Sequence, residues 1–341
     1  MKKKKTLSIL LVLLLVSAGI GIAGYSLLFN RPFHIEKSTY IYIDEDDTAD
    51  SVYSKLENTL NTSTLSGFRL LASLYGYAED IHPGAYRIDA SYTTWLTFHR
   101  LKHGMQTPVR LTIPSVRTTG RLAKTVSRQI MADSASIARL LNDSSYCARL
   151  GYNVYTLPAL FIPNTYEVYW TLTPEQFMER MQKEYKRFWN KERMEKAQRI
   201  GLTPTEVTTL ASIVEEETAR KTEKPTVAGL YINRLHKGMP LQADPTVKFA
   251  LQDFTLRRIL HKHLECESPY NTYKHIGLPP GPIRIPSIDG IESVLNYTPH
   301  KYLYMCARED FSGYHNFAET MTQHLQNAAR YQRELNKRNI R

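Results

Sequence analysis

The sequence predicts an α+β fold class, in which one N-terminal transmembrane helix precedes two folded regions. Three features predict it: an uncharged apolar run at residues 6–29, a strand–helix–helix–strand pattern at residues 39–90, and helices with clear capping signals after residue 173. With 341 residues, 42% of them hydrophobic, the chain can bury one large core or two smaller ones. The expected divisions are residues 1–5, 6–29, 30–106 and 107–341.

The apolar run is long enough to cross a bilayer as a helix, and four lysines precede it. A cleaved signal peptide is the alternative, since such segments also begin with positive charge. The run is longer than a usual signal core and its small residues lie inside it, so we expect a retained anchor. The lysines orient the N-terminus inward, which predicts a single-pass protein of the cytoplasmic (inner) membrane with residues 30–341 outside the cytoplasm, in the periplasm or at the cell exterior.

The net charge of +11 includes the four leader lysines, so the exported part is only modestly basic. This charge suits an anionic partner such as lipid headgroups or a cell-wall polymer, and equally suits ordinary solubility. Nucleic acid is not expected as a partner, because no basic-aromatic module is present. Cys147, Cys266 and Cys306 form neither a metal knuckle nor an obvious disulfide framework, which leaves one pair plus a free thiol open. The histidines have no metal-ligand spacing, so we expect neither a metal nor a cofactor.

The first folded region alternates like a strand at Thr39–Asp44 and again at Pro83–Ala90, after a Pro-Gly turn. Between these strands, residues 47–60 and 63–77 have helical spacing. A further helix over residues 93–105 and a strand at Thr107–Ser115 lead into the second region.

The second region begins with a helical stretch, Thr118–Leu141, followed by an aromatic loop, Tyr155–Trp170. Thr173-Pro-Glu-Gln and Thr203-Pro-Thr-Glu each supply a hydroxyl cap, proline at the first helical position and a side chain that can bond back to the cap. The second of these starts a helix that should run to about Arg220. The last helix, from about Ala318 to Lys337, should turn one apolar side inward: Met321, Leu325, Ala328 and Tyr331 or Leu335.

Three adjacent carboxylates, Glu215, Glu216 and Glu217, follow the apolar stripe of the helix that begins at Thr203. The stripe consists of Val207, Leu210, Ile213 and Val214, and its next position is Glu217. Burial there would raise the pKa of this carboxyl, as a general acid requires near neutral pH. In the alternative, the stripe ends at Val214 and Glu217 pairs with Arg220 or Lys221. Glu215 and Glu216 are expected to face solvent or to support the site.

Amide and aromatic side chains cluster in the two segments that follow, as a carbohydrate groove requires. Residues 224–251 carry Asn233, Arg234, Gln242 and Asp244 among apolar residues, and residues 270–287 bring Tyr270, Asn271 and Tyr273. Asp244 precedes Pro245, so an N-cap followed by proline in the first turn is favoured for it over a catalytic role.

Four ordered motifs resemble those of the MltG or YceG-like family, the endolytic murein transglycosylases: Phe161–Val168, Ala211–Thr218, Val227–Val247 and Tyr270–Ile283. The resemblance covers most of residues 39–335. It implies one N-terminal span, a small LysM-like βααβ subdomain and a mixed α/β YceG-like catalytic domain. It also implies cleavage of nascent peptidoglycan between N-acetylmuramic acid and N-acetylglucosamine within the strand, with a 1,6-anhydromuramic end as product.

The resemblance also implies roles for individual residues. The essential family glutamate, the second of an E-x-E pair, falls on Glu217, and the first falls on Glu215. Gln242, Asn271 and Tyr273 are the candidates for holding the sugar, with Asp244 beside them. Peptidoglycan strands are the implied partner, and peptidoglycan synthases or division proteins are candidate protein partners.

Two other functions stay open at this stage. One is a hydrolytic muramidase or glucosaminidase, in which Glu217 acts with Glu215 or Asp244 as a second carboxylate and the product has a reducing end. The other is a catalytically silent wall-binding scaffold.

Overall fold

The computed structural model describes residues 2–62, 65–256 and 258–338. They fall into two compact units. Unit 1 comprises Met1–Arg110 with the short segments Gln129–Met131 and Glu167–Leu172. Unit 2 comprises Leu111–Arg128, Ala132–Tyr166 and Thr173–Arg341.

The chain begins with the predicted apolar helix, α1 (Lys2–Phe29). Its segment Leu7–Phe29 is 23 residues long with a mean hydropathy of 2.5, and none of its most apolar window is buried. An exposed helix of this length and composition suits a membrane span or a signal sequence.

The remainder of unit 1 has the predicted strand–helix–helix–strand order followed by one more helix. The two strands pair antiparallel, with Thr39 opposite Ile88 and Ile43 opposite Gly84. Inward-facing apolar side chains such as Leu56 and Phe68 fill the core. Residues 63 and 64, where the second helix was predicted to begin, lie outside the described residues. The elements are β1 (Thr39–Ile43), α2 (Ala49–Leu60), α3 (Ser66–Leu74), β2 (Gly84–Ile88) and α4 (Thr94–Lys102).

The rest of the chain is mostly helical, with two small sheets, one formed by β3 and β4 and the other by β5 and β6. In chain order the elements are β3 (Val109–Thr112), α5 (Thr119–Val126), α6 (Ser134–Asn142), α7 (Ser144–Arg149), β4 (Thr165–Val168), α8 (Pro174–Phe188), α9 (Lys191–Ile200), α10 (Pro204–Glu217), α11 (Lys224–His236), α12 (Asp244–Leu251), α13 (His261–Leu264), α14 (Ile288–Leu295), β5 (Tyr304–Ala307), β6 (His315–Ala318) and α15 (Met321–Lys337).

Several predicted boundaries differ from those observed. The stretch Thr118–Leu141 is two helices, because the Asp133 side chain accepts hydrogen bonds from two backbone N–H groups and caps a new helix. The aromatic segment Tyr155–Trp170 contains a 3₁₀ turn and β4. The last helix starts at Met321, after a capping box at Thr320, since Ala318 belongs to β6.

The core of unit 2 is built around α10, which packs against α11, α12 and α14. Its residues from Val207 to Val214 are all buried, so the helix is enclosed on every side. Its first residues, Pro204–Glu206, and its last turn, Glu215–Glu217, are partly open to solvent. The three carboxylates therefore lie where the central helix of unit 2 emerges from its core.

All three cysteines are free: Cys147 is buried, and Cys266 and Cys306 are partly buried. The disulfide pair left open by the sequence is absent.

Candidate active site

Helix α10 begins and ends with distinct local signals. At its start, the Thr203 hydroxyl accepts from the Glu206 N–H while the Glu206 carboxylate accepts from the Thr203 N–H, completing the predicted capping box. At its end, Thr218 is extended, so the helix stops at Glu217 and the predicted extension to Arg220 is wrong. A carboxyl at the C-terminus of a helix meets the negative end of the helix dipole, which disfavours its charged form.

Glu215 is tied to the start of α14. Its Oε2 atom accepts hydrogen bonds from the backbone N–H and the hydroxyl of Ser287, both at 2.8 Å. The fit is close, because a Cβ atom at Gly290 would lie 2.5 Å from the same oxygen. Glu215 therefore joins two helices of the core.

Glu216 is neutralised by two arginines. Arg117 donates to both of its oxygens, at 2.7 and 2.8 Å, and Arg284 donates at 2.9 Å. Burial alone would raise the pKa of this carboxyl, but the hydrogen bonds and charges of the two guanidinium groups hold it below its ordinary value. Glu216 is therefore an ionised structural residue, and of the two expectations, facing solvent or supporting the site, its contacts correspond to the second.

Glu217 has a different environment from its two neighbours. Its Oε1 atom accepts a hydrogen bond of 2.9 Å from the hydroxyl of buried Tyr231. Among the described residues no cationic side chain forms an ion pair with it; Arg220 donates instead to the Ser312 carbonyl, and Lys221 is exposed.

Burial raises the pKa of Glu217 to about 7. The Tyr231 hydrogen bond and Lys248 oppose this rise in pKa, while the charges of Asp244 and Glu216 add to it. Near neutral pH the carboxyl can therefore both give and take a proton.

Glu217 lines a cleft of about 530 Å³ in unit 2. Three of the predicted sugar-binding or supporting residues, Gln242, Asp244 and Tyr273, line the same cleft. The Tyr273 hydroxyl donates a 2.6 Å hydrogen bond to Asp244. Burial and this hydrogen bond hold the pKa of Tyr273 above its ordinary value, so it remains a donor. Gln242 has a left-handed backbone, with φ 52°, and its side chain accepts from Arg234.

The expectation that Asp244 is a helix N-cap is wrong. Ala243 occupies the capping position, Asp244 is the first residue of α12, and no side chain caps this helix. The Asp244 carboxylate instead accepts a hydrogen bond from the hydroxyl of Tyr273, which lies in the segment between α13 and α14. An exposed carboxylate in the cleft is available to a ligand.

Asn271 and Glu215 do not line this cleft. Asn271 is fully buried; its side-chain amide donates to the carbonyls of Leu264 and Cys266, and its oxygen accepts from the Tyr273 N–H. Asn271 thus shapes the loop that presents Tyr273.

Two residues of α11, Tyr231 and Arg234, also line the cleft; the sequence pointed to Arg234 as one polar residue of a possible groove, but neither was predicted as a site residue. Arg234 is buried and donates to the carbonyls of Pro240, Leu241 and Leu303 and to Gln242. Burial lowers the pKa of its guanidinium. The two residues are three positions apart on one helix face, and this spacing next to the Gln242 segment is the signal that could have found them.

A helix-end carboxyl with a raised pKa, in a cleft lined by amide, phenol and carboxylate groups, defines a site for general acid–base chemistry on a polar ligand. Comparison with known proteins gives the family. The YceG-like family model matches residues 41–330, and the chain belongs to that family.

Two curated relatives, from Streptococcus pneumoniae strains D39 and R6, are each 27% identical over 96% of this chain and 65% of their own length, and each is named endolytic murein transglycosylase. The chain thus spans about two thirds of the length of these relatives. A Bacillus subtilis protein of the same name is 41% identical over 36% of this chain and 33% of its own length. A crystal structure of a YceG-like protein from Listeria monocytogenes has a TM-score of 0.57 at 24% identity, covering 86% of this chain and 99% of the other, and shares its fold.

Proposed function

We propose that this protein is a membrane-anchored endolytic peptidoglycan transglycosylase. It cleaves bonds between N-acetylmuramic acid and N-acetylglucosamine within nascent glycan strands, leaves 1,6-anhydromuramic ends and so ends strand elongation. The observation that carries the proposal is the carboxyl of Glu217, which lines the cleft and has its pKa raised to about 7. No described cationic side chain forms an ion pair with it. The names of the pneumococcal and Bacillus relatives support the same substrate and reaction.

In the proposed mechanism, one carboxyl acts twice. Protonated Glu217 donates its proton to the glycosidic oxygen while the C1–O bond breaks and positive charge develops on the muramic ring. The resulting carboxylate then takes the proton of the muramic C6 hydroxyl, whose oxygen bonds to C1 of the same ring. Glu217 ends protonated, as it began, and no water is consumed.

A group that must serve as acid and then as base works best with a pKa near the working pH. The Tyr231 hydrogen bond supports the second half of this cycle, because it stabilises the carboxylate that Glu217 becomes. The nucleophile belongs to the substrate and is held close to C1, so no second carboxylate is obligatory.

We propose that Gln242, Asp244 and Tyr273 bind the sugar, since all three line the cleft with Glu217. Asn271 and Glu215 are proposed to support the site through the contacts that fix the Tyr273 loop and α14.

A hydrolytic glycosidase is the second candidate, and Asp244 is the observation that favours it. This carboxylate is exposed in the same cleft and could activate a water molecule, as inverting glycosidases require. Glu215 is a poor second carboxylate, because both donors of Ser287 already occupy it.

We also propose that α1 anchors the protein in the cytoplasmic membrane with residues 30–341 outside the cytoplasm, and that the β1–α2–α3–β2 segment is LysM-like. The support is the apolar length of α1, the leader lysines and the strand–helix–helix–strand order. Peptidoglycan synthases or division proteins are the proposed protein partners.

Product analysis tests the proposed function. Purified residues 30–341 are incubated with un-crosslinked glycan strands beside the Glu217→Gln variant, and the products are analysed by mass spectrometry. We expect internal fragments with anhydromuramic ends from the wild type and none from the variant. Reducing ends would support the hydrolase, and glycan binding without cleavage by either protein would support the scaffold.

A further inference from the structure

The cleft has a second wall, formed by the C-terminal part of the chain. Strands β5 and β6 pair antiparallel, with Tyr304 opposite Ala318 and Ala307 opposite His315. His315 from this hairpin and Met321 and Leu325 from α15 line the same cleft as Glu217. The acid–base steps proposed above use none of these three side chains.

His315 is held in one orientation by a buried carboxylate. Glu223, only 5% exposed, accepts hydrogen bonds from the backbone N–H of His315 at 2.6 Å and from its Nδ1 atom at 2.8 Å. An ionised carboxylate only accepts hydrogen bonds, so Nδ1 carries the proton. The other ring nitrogen, Nε2, is then an acceptor in the neutral ring, and in the described part of the chain it forms no hydrogen bond.

The neighbouring helix presents apolar side chains to the cleft. Met321 and Leu325 are one turn apart on α15 and are 51% and 59% exposed, although both are large and hydrophobic. The prediction that they face inward is wrong, whereas Ala328, Tyr331 and Leu335 are partly buried. An exposed apolar pair that lines a binding cleft is suited to an apolar group of the ligand.

One substituent of peptidoglycan sugars combines a hydrogen-bond donor with an apolar group: the acetamido group, with its N–H and its methyl. We propose that His315, fixed by Glu223, binds this acetamido N–H through Nε2, while the methyl group lies against Met321 and Leu325. The proposal rests on the proposed function, since it assigns an acetylated glycan to the same cleft. His315 is thereby a substrate-binding residue of the second wall.

The test measures binding separately from cleavage. The affinity of the full-length protein in detergent micelles for un-crosslinked glycan strands is measured in the Glu217→Gln background, where no turnover is expected. Adding His315→Ala should weaken binding about tenfold, because that is the loss of affinity expected when one hydrogen bond to the ligand is removed. His261→Ala, a change at an exposed histidine outside the cleft, should leave the affinity unchanged.

The acetamido assignment is tested with synthetic strands whose sugars carry hydrogen at C2 in place of the acetamido group. On these strands the His315→Ala change should cost less than about twofold, because the amide N–H and the methyl are both absent. An equal tenfold loss on both kinds of strand would overturn the acetamido contact. No loss on acetylated strands would overturn the role of His315 altogether.

His315→Asn guards against a purely structural effect. Its side-chain amide nitrogen takes the place of Nδ1 and can still donate to Glu223, so the hairpin should keep its thermal midpoint while binding weakens as in His315→Ala. Unchanged binding in a normally folded His315→Asn protein would contradict the proposal. If the wild type gave no anhydromuramic product, the proposed function would fail, and these binding results would still decide the role of His315.

Discussion

The raised pKa of Glu217 has a consequence for stability that does not depend on any activity. The carboxyl has an ordinary pKa of 4.5 and a pKa of about 7 in the folded protein, so the folded state holds this proton more tightly. Its contribution to stability is fully present below pH 4.5 and is lost as the pH rises to 7. At about 1.36 kcal/mol for each pKa unit, the loss amounts to about 3 kcal/mol.

The perturbation is Glu217→Gln, which is neutral at every pH. Relative to the wild type, the variant should gain about 3 kcal/mol in free energy of unfolding between pH 4 and pH 8. Urea unfolding of residues 30–341 measures this difference in free energy. The fluorescence of Trp189 in unit 2 reports the unfolding, after Trp95 and Trp170 have been replaced by Phe in every protein.

Glu216→Gln is the matched control, since it is the adjacent residue with the same substitution. Its ion pairs with Arg117 and Arg284 hold the pKa of Glu216 below its ordinary value, so its stabilisation is present at high pH and lost as the pH falls. Glu216→Gln should therefore be less stable than the wild type at pH 8, by a margin that shrinks toward acid. A stability difference for Glu217→Gln that does not change with pH would refute the raised pKa.

Three further variants test the contacts of the cleft. Tyr231→Phe removes the hydrogen bond that favours the Glu217 carboxylate, so the basic limb of kcat/KM should move up by about one pH unit; an unmoved limb would show that Glu217 does not control it. Asp244→Asn removes a charge that raises the pKa of Glu217, so the same limb should move down while cleavage is retained within about tenfold, whereas loss of cleavage by about a hundredfold would indicate a second catalytic carboxylate. Arg234→Ala leaves the carbonyls of three residues without their donor, and thermal or urea unfolding should show a loss of at least about 3 kcal/mol; a neutral effect would mean that these hydrogen bonds are replaced.

Much of the secondary structure was predictable because its signals are local. The capping box at Thr203 involves residues three positions apart, and so does the one at Thr173, so the sequence alone contains them. The break between α5 and α6 was missed because helical spacing runs through both; residues 127–133 interrupt the helix, and the Asp133 cap starts the next one.

The candidate site was predictable only in part. The stripe argument chose Glu217, but α10 is buried on every side from Val207 to Val214 and all three glutamates after it are partly exposed, so exposure does not distinguish them. Their hydrogen-bond partners in the described part of the chain distinguish them: Ser287 for Glu215, arginines for Glu216 and only a phenol for Glu217. These partners are 14 to 99 positions away in sequence, and no local pattern contains such contacts.

The roles of single polar residues were hardest to predict. Asn271 has the side chain of a sugar ligand, yet its amide satisfies carbonyls within its own loop. Asp244 precedes a proline as helix caps often do, yet Tyr273 bonds to it from 29 positions away. In both cases a tertiary contact outweighs the local signal.

Cleavage in water enriched with ¹⁸O tests the central claim most directly. If Glu217 delivers the muramic C6 hydroxyl to C1, the new ends are anhydro sugars that contain no solvent oxygen, and Glu217→Gln forms none. Mass spectra of the wild-type products should therefore show unlabelled anhydromuramic ends. Reducing ends that carry one ¹⁸O atom would contradict the account, because water, and not the substrate's own hydroxyl, would then be the nucleophile.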